Sequence, residues 1–303
     1  MRFWKAHGLG NDYLVLEELR TPLPDRPPAD GGRGPDGPEL TAPLVVALTA
    51  PLVVALCDRN RGVGSDGILE PTPPTLGADF GVRIWNPDGS TAEKSGNGLR
   101  IFARWLRDTG RARGDRFSIS TGPCRVDCET TADAVSVEMG AATFAAADVP
   151  VDALGELIDS PIDLSAGPLV VTAVGMGNPH CVVFRDEPLD TLPWRRWGAE
   201  LERHPRFPNR TNVQVARVID RRAVEIRIHE RGAGETQASG SSSCAVAAAG
   251  VRTGRLDAGR IRIEMPGGRL WVTVSAEGIR LEGPVEAVGR FEVDAHWLAS
   301  RRA

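Results

Sequence analysis

Glu93–Arg100 reads EKSGNGLR, and Ala238–Ala245 reads ASGSSSCA. Each places a serine and a glycine directly before a helical pattern. Ser95 and Ser239 stand 144 positions apart, and so do Gly96 and Gly240. The same offset carries Arg83-Ile84-Trp85-Asn86 onto Arg227-Ile228-His229-Glu230, and Thr109-Gly110-Arg111 onto Thr253-Gly254-Arg255. It also sets Phe117-Ser118-Ile119 against Ile261-Arg262-Ile263. A strand, a turn, Ser-Gly, a helix, a Thr-Gly stop and a second strand therefore occur twice in one order, which is the mark of an internal repeat.

Local signals agree with this reading. Val82–Trp85 and Val224–Ile228 alternate like half-buried strands, and Asn86-Pro87-Asp88-Gly89 is a turn. Leu99–Arg107 (LRIFARWLR) has helical periodicity and stops at Gly110, while Ser243–Val251 (SCAVAAAGV) predicts a small, apolar, buried helix stopping at Gly254. Gly8-Leu9-Gly10-Asn11 echoes Gly175-Met176-Gly177-Asn178 at a longer offset. Two segments occupy the extra length. Residues 20–40 are rich in Pro, Gly and Asp and predict an exposed loop. Thr41–Leu48 (TAPLVVAL) is repeated identically at Thr49–Leu56, with a proline suited to a helix start in each copy. The predicted fold class is α/β (α+β): two pseudo-symmetric domains, each a mostly antiparallel sheet wrapped around a central helix. Residues 1–138 with a returning segment at 284–303 form one half, and residues 139–283 form the other.

Composition narrows the function. The chain has 303 residues, 41% of them apolar, and a net charge of −4, which disfavours a nucleic-acid partner. No run of 18 apolar residues predicts a membrane span, and the N-terminal stretch lacks a secretory signal pattern. Five irregularly spaced cysteines, Cys57, Cys124, Cys128, Cys181 and Cys244, fit reduced thiols in a cytoplasm. Cys124 and Cys128 alone make a poor metal site, so no metal is expected.

Each Ser-Gly lies where a helix begins, and there free N–H groups and the positive end of the dipole favour an anion. Gly96 and Gly240 allow a ligand to approach the backbone. Two such starts facing each other would clamp one carboxylate and leave Ser95 and Ser239 on opposite faces of the carbon that bears it. That arrangement suits removal of a proton from one face and delivery to the other. Plain N-cap serines are the structural alternative.

The ordered set HGLGNDY (His7–Tyr13), DRNRGVGSDG (Asp58–Gly67), NPDGSTAEKSGNG (Asn86–Gly98), GMGNPH (Gly175–His180), RTN (Arg210–Asn212), ERGAGETQASG (Glu230–Gly240) and MPGG (Met265–Gly268) resembles diaminopimelate epimerase, in the pyridoxal-independent racemase and epimerase family. The resemblance implies an LL/meso-diaminopimelate-like substrate, an amino dicarboxylate, and no cofactor. By position it implies that Asn11, Asn86, Asn178 and Asn212 bind the distal amino and carboxylate groups and that Arg231 pairs with the distal carboxylate. Glu230 would bind the reacting amino group or orient the acid and base, with His180 an orienting residue behind the site. The backbone at Gly96, Asn97, Gly240 and Ser241 would hold the reacting carboxylate. A homodimer is the assembly expected.

The family that the chain resembles uses two cysteines as base and acid. Both matching positions here are serine, Ser95 and Ser239. Cys244 lies more than a turn past Ser239 and reads as packing. A thiol titrates near about 8.5 and an aliphatic hydroxyl near about 15.7, so full ionisation of serine costs on the order of 7–10 kcal/mol more. Helix dipoles of about 0.3–1 kcal/mol each do not close that gap. A relay to Glu230, Glu235, His180 or Glu93 would. The alternatives are a related isomerase or dehydratase acting on another amino or hydroxy acid, and a binding protein that kept the clamp without the chemistry.

Overall fold

The computed structural model describes residues 1–18, 20–21, 44–45 and 47–301. In chain order the first half runs β1 (Arg2–Gly8), β2 (Asn11–Glu18), β3 (Arg20–Thr21), β4 (Leu44–Val45), α1 (Ala50–Cys57), β5 (Ile68–Thr72), β6 (Phe80–Trp85), β7 (Thr91–Ala92), α2 (Gly96–Asp108), β8 (Arg116–Ser120), β9 (Arg125–Thr130) and β10 (Val135–Gly140). The second half runs β11 (Ser160–Leu164), β12 (Gly167–Gly175), β13 (Pro179–Phe184), α3 (Trp194–Glu202), β14 (Asn212–Asp220), β15 (Ala223–Glu230), β16 (Gly234–Thr236), α4 (Gly240–Arg252), β17 (Gly259–Met265), β18 (Gly268–Ser275) and β19 (Gly278–Gly283). The chain then returns as β20 (Glu286–Glu292), antiparallel to β1, and ends its described part with α5 (Ala295–Ala299).

The repeat is carried down to register. β6 and β8 pair in parallel with Phe80 opposite Ile119, and 144 residues on, Val224 lies opposite Ile263. In the next ladders Ile119 faces Val126, and Ile263 faces Leu270. The helices end alike: Thr109 Oγ1 donates to the Trp105 carbonyl at 2.6 Å and Thr253 Oγ1 to the Ala249 carbonyl at 2.7 Å. Gly110 and Gly254 follow, each with φ of 69°, a left-handed stop that glycine adopts freely.

β10 and β19, equivalent strands of the two halves, pair with each other, and Val137 sits opposite Leu281. Residues 137 and 281 are also 144 apart, so a local two-fold axis runs through this pair. The halves are thereby joined edge to edge as equivalents, and Leu281 lies on the line between them.

Both central helices are buried in one continuous core. α2 contributes Leu99, Ile101, Phe102, Trp105 and Leu106, packed on Val82, Ile84, Val126 and Val137. α4 contributes Cys244 through Ala249, packed on Val182, Ile226, Ile263 and Val272. Alanines let the sheet approach α4 closely, and each large side chain buried on α2 stabilises by about 1.5–3 kcal/mol. The predicted helices lengthen toward their N-termini: both begin directly after the serine.

The duplicated octapeptide departs from expectation. Its second copy forms α1, with Leu52, Val53, Leu56 and Cys57 packed on Phe3, Leu14 and Ile68. In the first copy Leu44–Val45 is a strand paired with Arg20–Thr21, not a helix start. Eight residues hold no stable helix by themselves, so tertiary packing decides between the copies. The predicted loop over 20–40 lies outside the described residues except at Arg20–Thr21, which is strand.

Candidate active site

The two serines end extended segments, with φ of −139° at Ser95 and −149° at Ser239, and each is the N-cap of its helix. The helix starts abut. A β-carbon built on Gly240 would come 3.8 Å from Gly96 Cα, 3.8 Å from Asn97 Oδ1 and 2.7 Å from Leu281 Cδ2. One on Gly96 would meet the same Leu281 methyl at 3.0 Å. Only two glycines fit there, and two positive helix ends converge beside the two-fold axis. The first-turn N–H groups have no intrahelical acceptor. In α2 the Ser95 hydroxyl takes one of them, accepting from Gly98 N at 3.1 Å, whereas Ser239 caps none.

The serines differ in what stands behind them. Ser95 Oγ lies 3.2 Å from the hydroxyl of Tyr13 on β2. Burial pushes the Tyr13 phenol up to about 12. Ser239 has the Glu230 carboxyl, at the end of β15, as its neighbour. Burial raises Glu230 above the usual carboxylate range; the nearby Ser239 hydroxyl opposes the rise, and the Asp66 charge adds to it. Position 86 is equivalent to position 230, and there the chain carries an amide: Asn86 Nδ2 donates to Ser90 Oγ at 2.9 Å within its own turn.

Asn97 and Asn11 form one network. Asn97 Nδ2 donates to Asn11 Oδ1 at 2.9 Å, and Asn11 Nδ2 donates to Asp66 at 2.8 Å. Arg59 bridges Asp66 and Asp12, at 2.7 Å to each, and Lys5 pairs with Asp12 at 2.9 Å. Burial alone would raise the Asp12 carboxyl, but hydrogen bonds and charge from Arg59 and Lys5 outweigh it and hold it low. Among the described residues the buried Asn97 Oδ1 has no hydrogen-bond partner; it sits next to Gly240, an acceptor directed at the joint.

A second network lies behind α4. His180 is fully buried, and burial drives its ring down to about 3, so it is neutral. Gln214 Nε2 lies 3.1 Å from His180 Nδ1 and 2.9 Å from Ser242 Oγ, while His180 Nε2 lies 2.8 Å from Asn178 Oδ1. With the amide donating, Nδ1 accepts and Nε2–H donates, which leaves Asn178 Nδ2 to a ligand. Asn212 Nδ2 donates to the Pro179 carbonyl at 3.0 Å, and Asn212 Oδ1 accepts Arg231 N at 3.0 Å. The Asn212 side chain thus fixes the Glu230–Arg231 backbone. Arg231 is exposed; Nη1 reaches the Asn209 carbonyl at 3.1 Å, and no carboxylate pairs with it among the described residues.

Ser95, Gly96, Asn97, Asn11, Ser239, Gly240 and Glu230 are therefore gathered at one joint, continuous through Asn212 with Arg231 and through Ser242, the neighbour of Ser241, with His180 and Asn178. Glu235 is removed as a relay, since Arg195 holds its carboxylate at 2.7 and 2.9 Å. Glu93 is exposed. Tyr13, Asp66 and Gln214 escaped the sequence reading. Tyr13 and Asp66 lie inside quoted motifs, but their partners are distant in sequence; Gln214 carries no local signal.

A family model described as diaminopimelate epimerase matches residues 42–145 and 172–288. The chain belongs to the diaminopimelate epimerase family. It is 42% identical over 281 residues to diaminopimelate epimerase 2 of a Nostoc species, covering 90% of this chain and 88% of that one. It is 36% identical over 305 residues to a diaminopimelate epimerase of Desulforudis audaxviator, covering 98% and 99%. The fold is shared with a probable proline racemase from Agrobacterium radiobacter, at a TM-score of 0.64 and 15% identity over 97% of this chain and 93% of that one. The diaminopimelate epimerase family thus accounts for the doubled architecture, and the serine pair sits at its centre.

Proposed function

We propose that the protein epimerises LL- and meso-diaminopimelate without a cofactor, in lysine and cell-wall precursor biosynthesis, by two-base proton exchange at the α-carbon. The observation that carries this is the contact of Gly96 with Gly240, which supports the reading that the two helix starts hold one carboxylate between Ser95 and Ser239. The reacting carboxylate lies on the backbone of Gly96, Asn97, Gly240 and Ser241. Asn11, Asn86, Asn178 and Asn212 serve the distal groups or fix their surroundings, and the exposed guanidinium of Arg231 meets the distal carboxylate, a bidentate task. His180, neutral and enclosed, orients Asn178 and takes no proton.

Glu230 solves the problem of the serine base. Ser239 need not ionise if it passes its proton to Glu230 as it accepts one from the substrate. A carboxyl raised by burial is closer to the operating pH than an ordinary one, which suits a general base. The halves, taken as residues 1–138 with 284–303 and residues 139–283, close over the ligand. We place the enzyme in a cytoplasm, consistent with its unpaired thiols. A homodimer is supported by β20, which exposes Val288 and Phe291 and pairs only with β1 among the described residues.

The test is incubation of the purified protein with each epimer in heavy water, followed by chiral analysis and mass spectrometry of the α-carbon. Epimer interconversion with deuterium gain is expected. The serine pair also favours a second reading, a binding protein without chemistry, which calorimetric binding without exchange would establish.

A further inference from the structure

We propose that Tyr13 stands behind Ser95 as its proton source, so that the two serines face the ligand in opposite senses, Ser239 accepting a proton and Ser95 giving one. This rests on the epimerase reading above.

Hydrogen-bond direction carries the inference. Tyr13 is buried, and among the described residues its hydroxyl has Ser95 Oγ as its partner, at 3.2 Å. A buried phenol places its proton on an acceptor. Ser95 Oγ also accepts Gly98 N at 3.1 Å. A hydroxyl has one proton and two lone pairs. With Tyr13 and Gly98 both donating, the lone pairs are filled, and the Ser95 proton is left to point into the joint. The other serine is the reverse. Ser239 caps no N–H, and the neighbouring Glu230 carboxylate, when ionised, has no proton to donate and can only accept. Toward the ionised carboxylate Ser239 can only be the donor, which turns its lone pairs toward the ligand.

The phenol is held in place for this. A β-carbon on Gly67 would strike Tyr13 Cε1 at 2.6 Å and the Trp85 carbonyl at 2.4 Å, so the ring fills the space that Gly67 leaves open. Behind it, Asp66 fixes Asn11 and thereby Asn97 beside the same helix start.

The exchange balances as follows. The Cα–H bond breaks, its proton goes to Ser239 Oγ, and the proton of Ser239 passes to Glu230; the electron pair stays on Cα. On the other face Ser95 gives its proton to that pair, forming the new C–H bond, and takes the proton of Tyr13. Glu230 is left neutral and Tyr13 ionised, and solvent water returns the proton between them after release. For the opposite epimer the steps run backwards. Charge thus rests on a phenol near 12 rather than on an alkoxide near about 15.7.

The experiment compares wild type with Tyr13→Phe, which keeps the ring and its packing. Each epimer is given separately in heavy water, and epimerisation, α-deuterium gain without inversion, KM and kcat are recorded. Tyr13→Phe is expected to lower kcat for epimerisation by about 10²–10³-fold with little change in KM, since it removes one acid of a general acid–base pair. Deuterium gain without inversion, from the epimer whose hydrogen faces Ser239, should fall much less. Equal loss of both processes, a loss confined to KM, or wild-type kinetics would overturn the proposal. A second readout needs no turnover: the pH dependence of alkylation in Ser95→Cys. A donated phenol hydrogen bond stabilises that thiolate, so adding Tyr13→Phe should move its titration up by about 1 pH unit. No movement would count against Tyr13 even in a protein without epimerase activity, whereas movement together with an inactive wild type would sink only the diaminopimelate reading.

Discussion

Gly240 and Gly96 approach until a β-carbon on Gly240 would lie 3.8 Å from Gly96 Cα and 2.7 Å from Leu281 Cδ2. Neither glycine has a positive φ, so alanine is excluded by space and not by backbone conformation. Gly240→Ala should force the Leu281 methyl aside and cost about 1–3 kcal/mol as overpacking. Gly96→Ala, whose β-carbon meets that methyl at 3.0 Å, should cost less. Melting temperatures are expected to fall in that order, and calorimetry should find diaminopimelate binding weakened in both. A Gly240→Ala protein that binds as tightly as wild type would remove the helix joint as the carboxylate site.

Glu230 sets an acid limb. Burial raises it above the usual carboxylate range. It is neutral at low pH and becomes a base as pH rises through its own value, so exchange should increase with pH across the weakly acidic range. Glu230→Gln keeps the shape, removes the base, and should lower kcat by about 10²–10⁴-fold while flattening that limb. Survival of the limb in the variant would assign it to another group.

The enclosure of His180 makes stability depend on pH. Its ring titrates near 3 when folded, against an ordinary 6.5. The unfolded chain therefore takes up the proton first, and the contribution of this residue is complete above pH 6.5 and declines as pH falls. Between pH 7 and pH 5 the loss is about 2 kcal/mol. Urea midpoints of wild type should fall over that interval. His180→Gln should start lower, because the Gln214–His180–Asn178 chain is broken, but fall less steeply. Parallel slopes would mean that the histidine is not held neutral.

The doubled architecture was legible because its signals are local. Ser95-Gly96 and Ser239-Gly240 announce helix starts, the Thr-Gly stops announce their ends, and a constant offset needs no long-range knowledge. The pairings that give the serines unlike roles are not local. Tyr13 reaches Ser95 from a strand 82 residues earlier, and Gln214 reaches His180 across a parallel ladder. Register between distant strands creates those contacts, and no spacing rule encodes it. The octapeptide shows the limit most plainly: Leu44–Val45 is strand, whereas the identical pair Leu52–Val53 lies in a helix packed on Phe3, Leu14 and Ile68.

The four buried thiols should be spectators. Cys57, Cys128, Cys181 and Cys244 are buried, and burial pushes Cys244, one turn into α4, up to about 12. The thiolate is the reactive form, so iodoacetamide at neutral pH should leave these four unalkylated. Thiols placed at the joint should react, and unequally. In Ser95→Cys the new sulfur faces a helix start and the Tyr13 hydroxyl, both of which favour thiolate. In Ser239→Cys the neighbouring Glu230 carboxylate opposes the charge. Alkylation of Ser95→Cys should be faster by about tenfold, a gap of roughly one pKa unit. Combining both substitutions restores groups that ionise near about 8.5 and should raise epimerisation above wild type. Equal alkylation rates at the two positions would show that the serines stand in equivalent surroundings, and the assignment of unlike roles to them would fail.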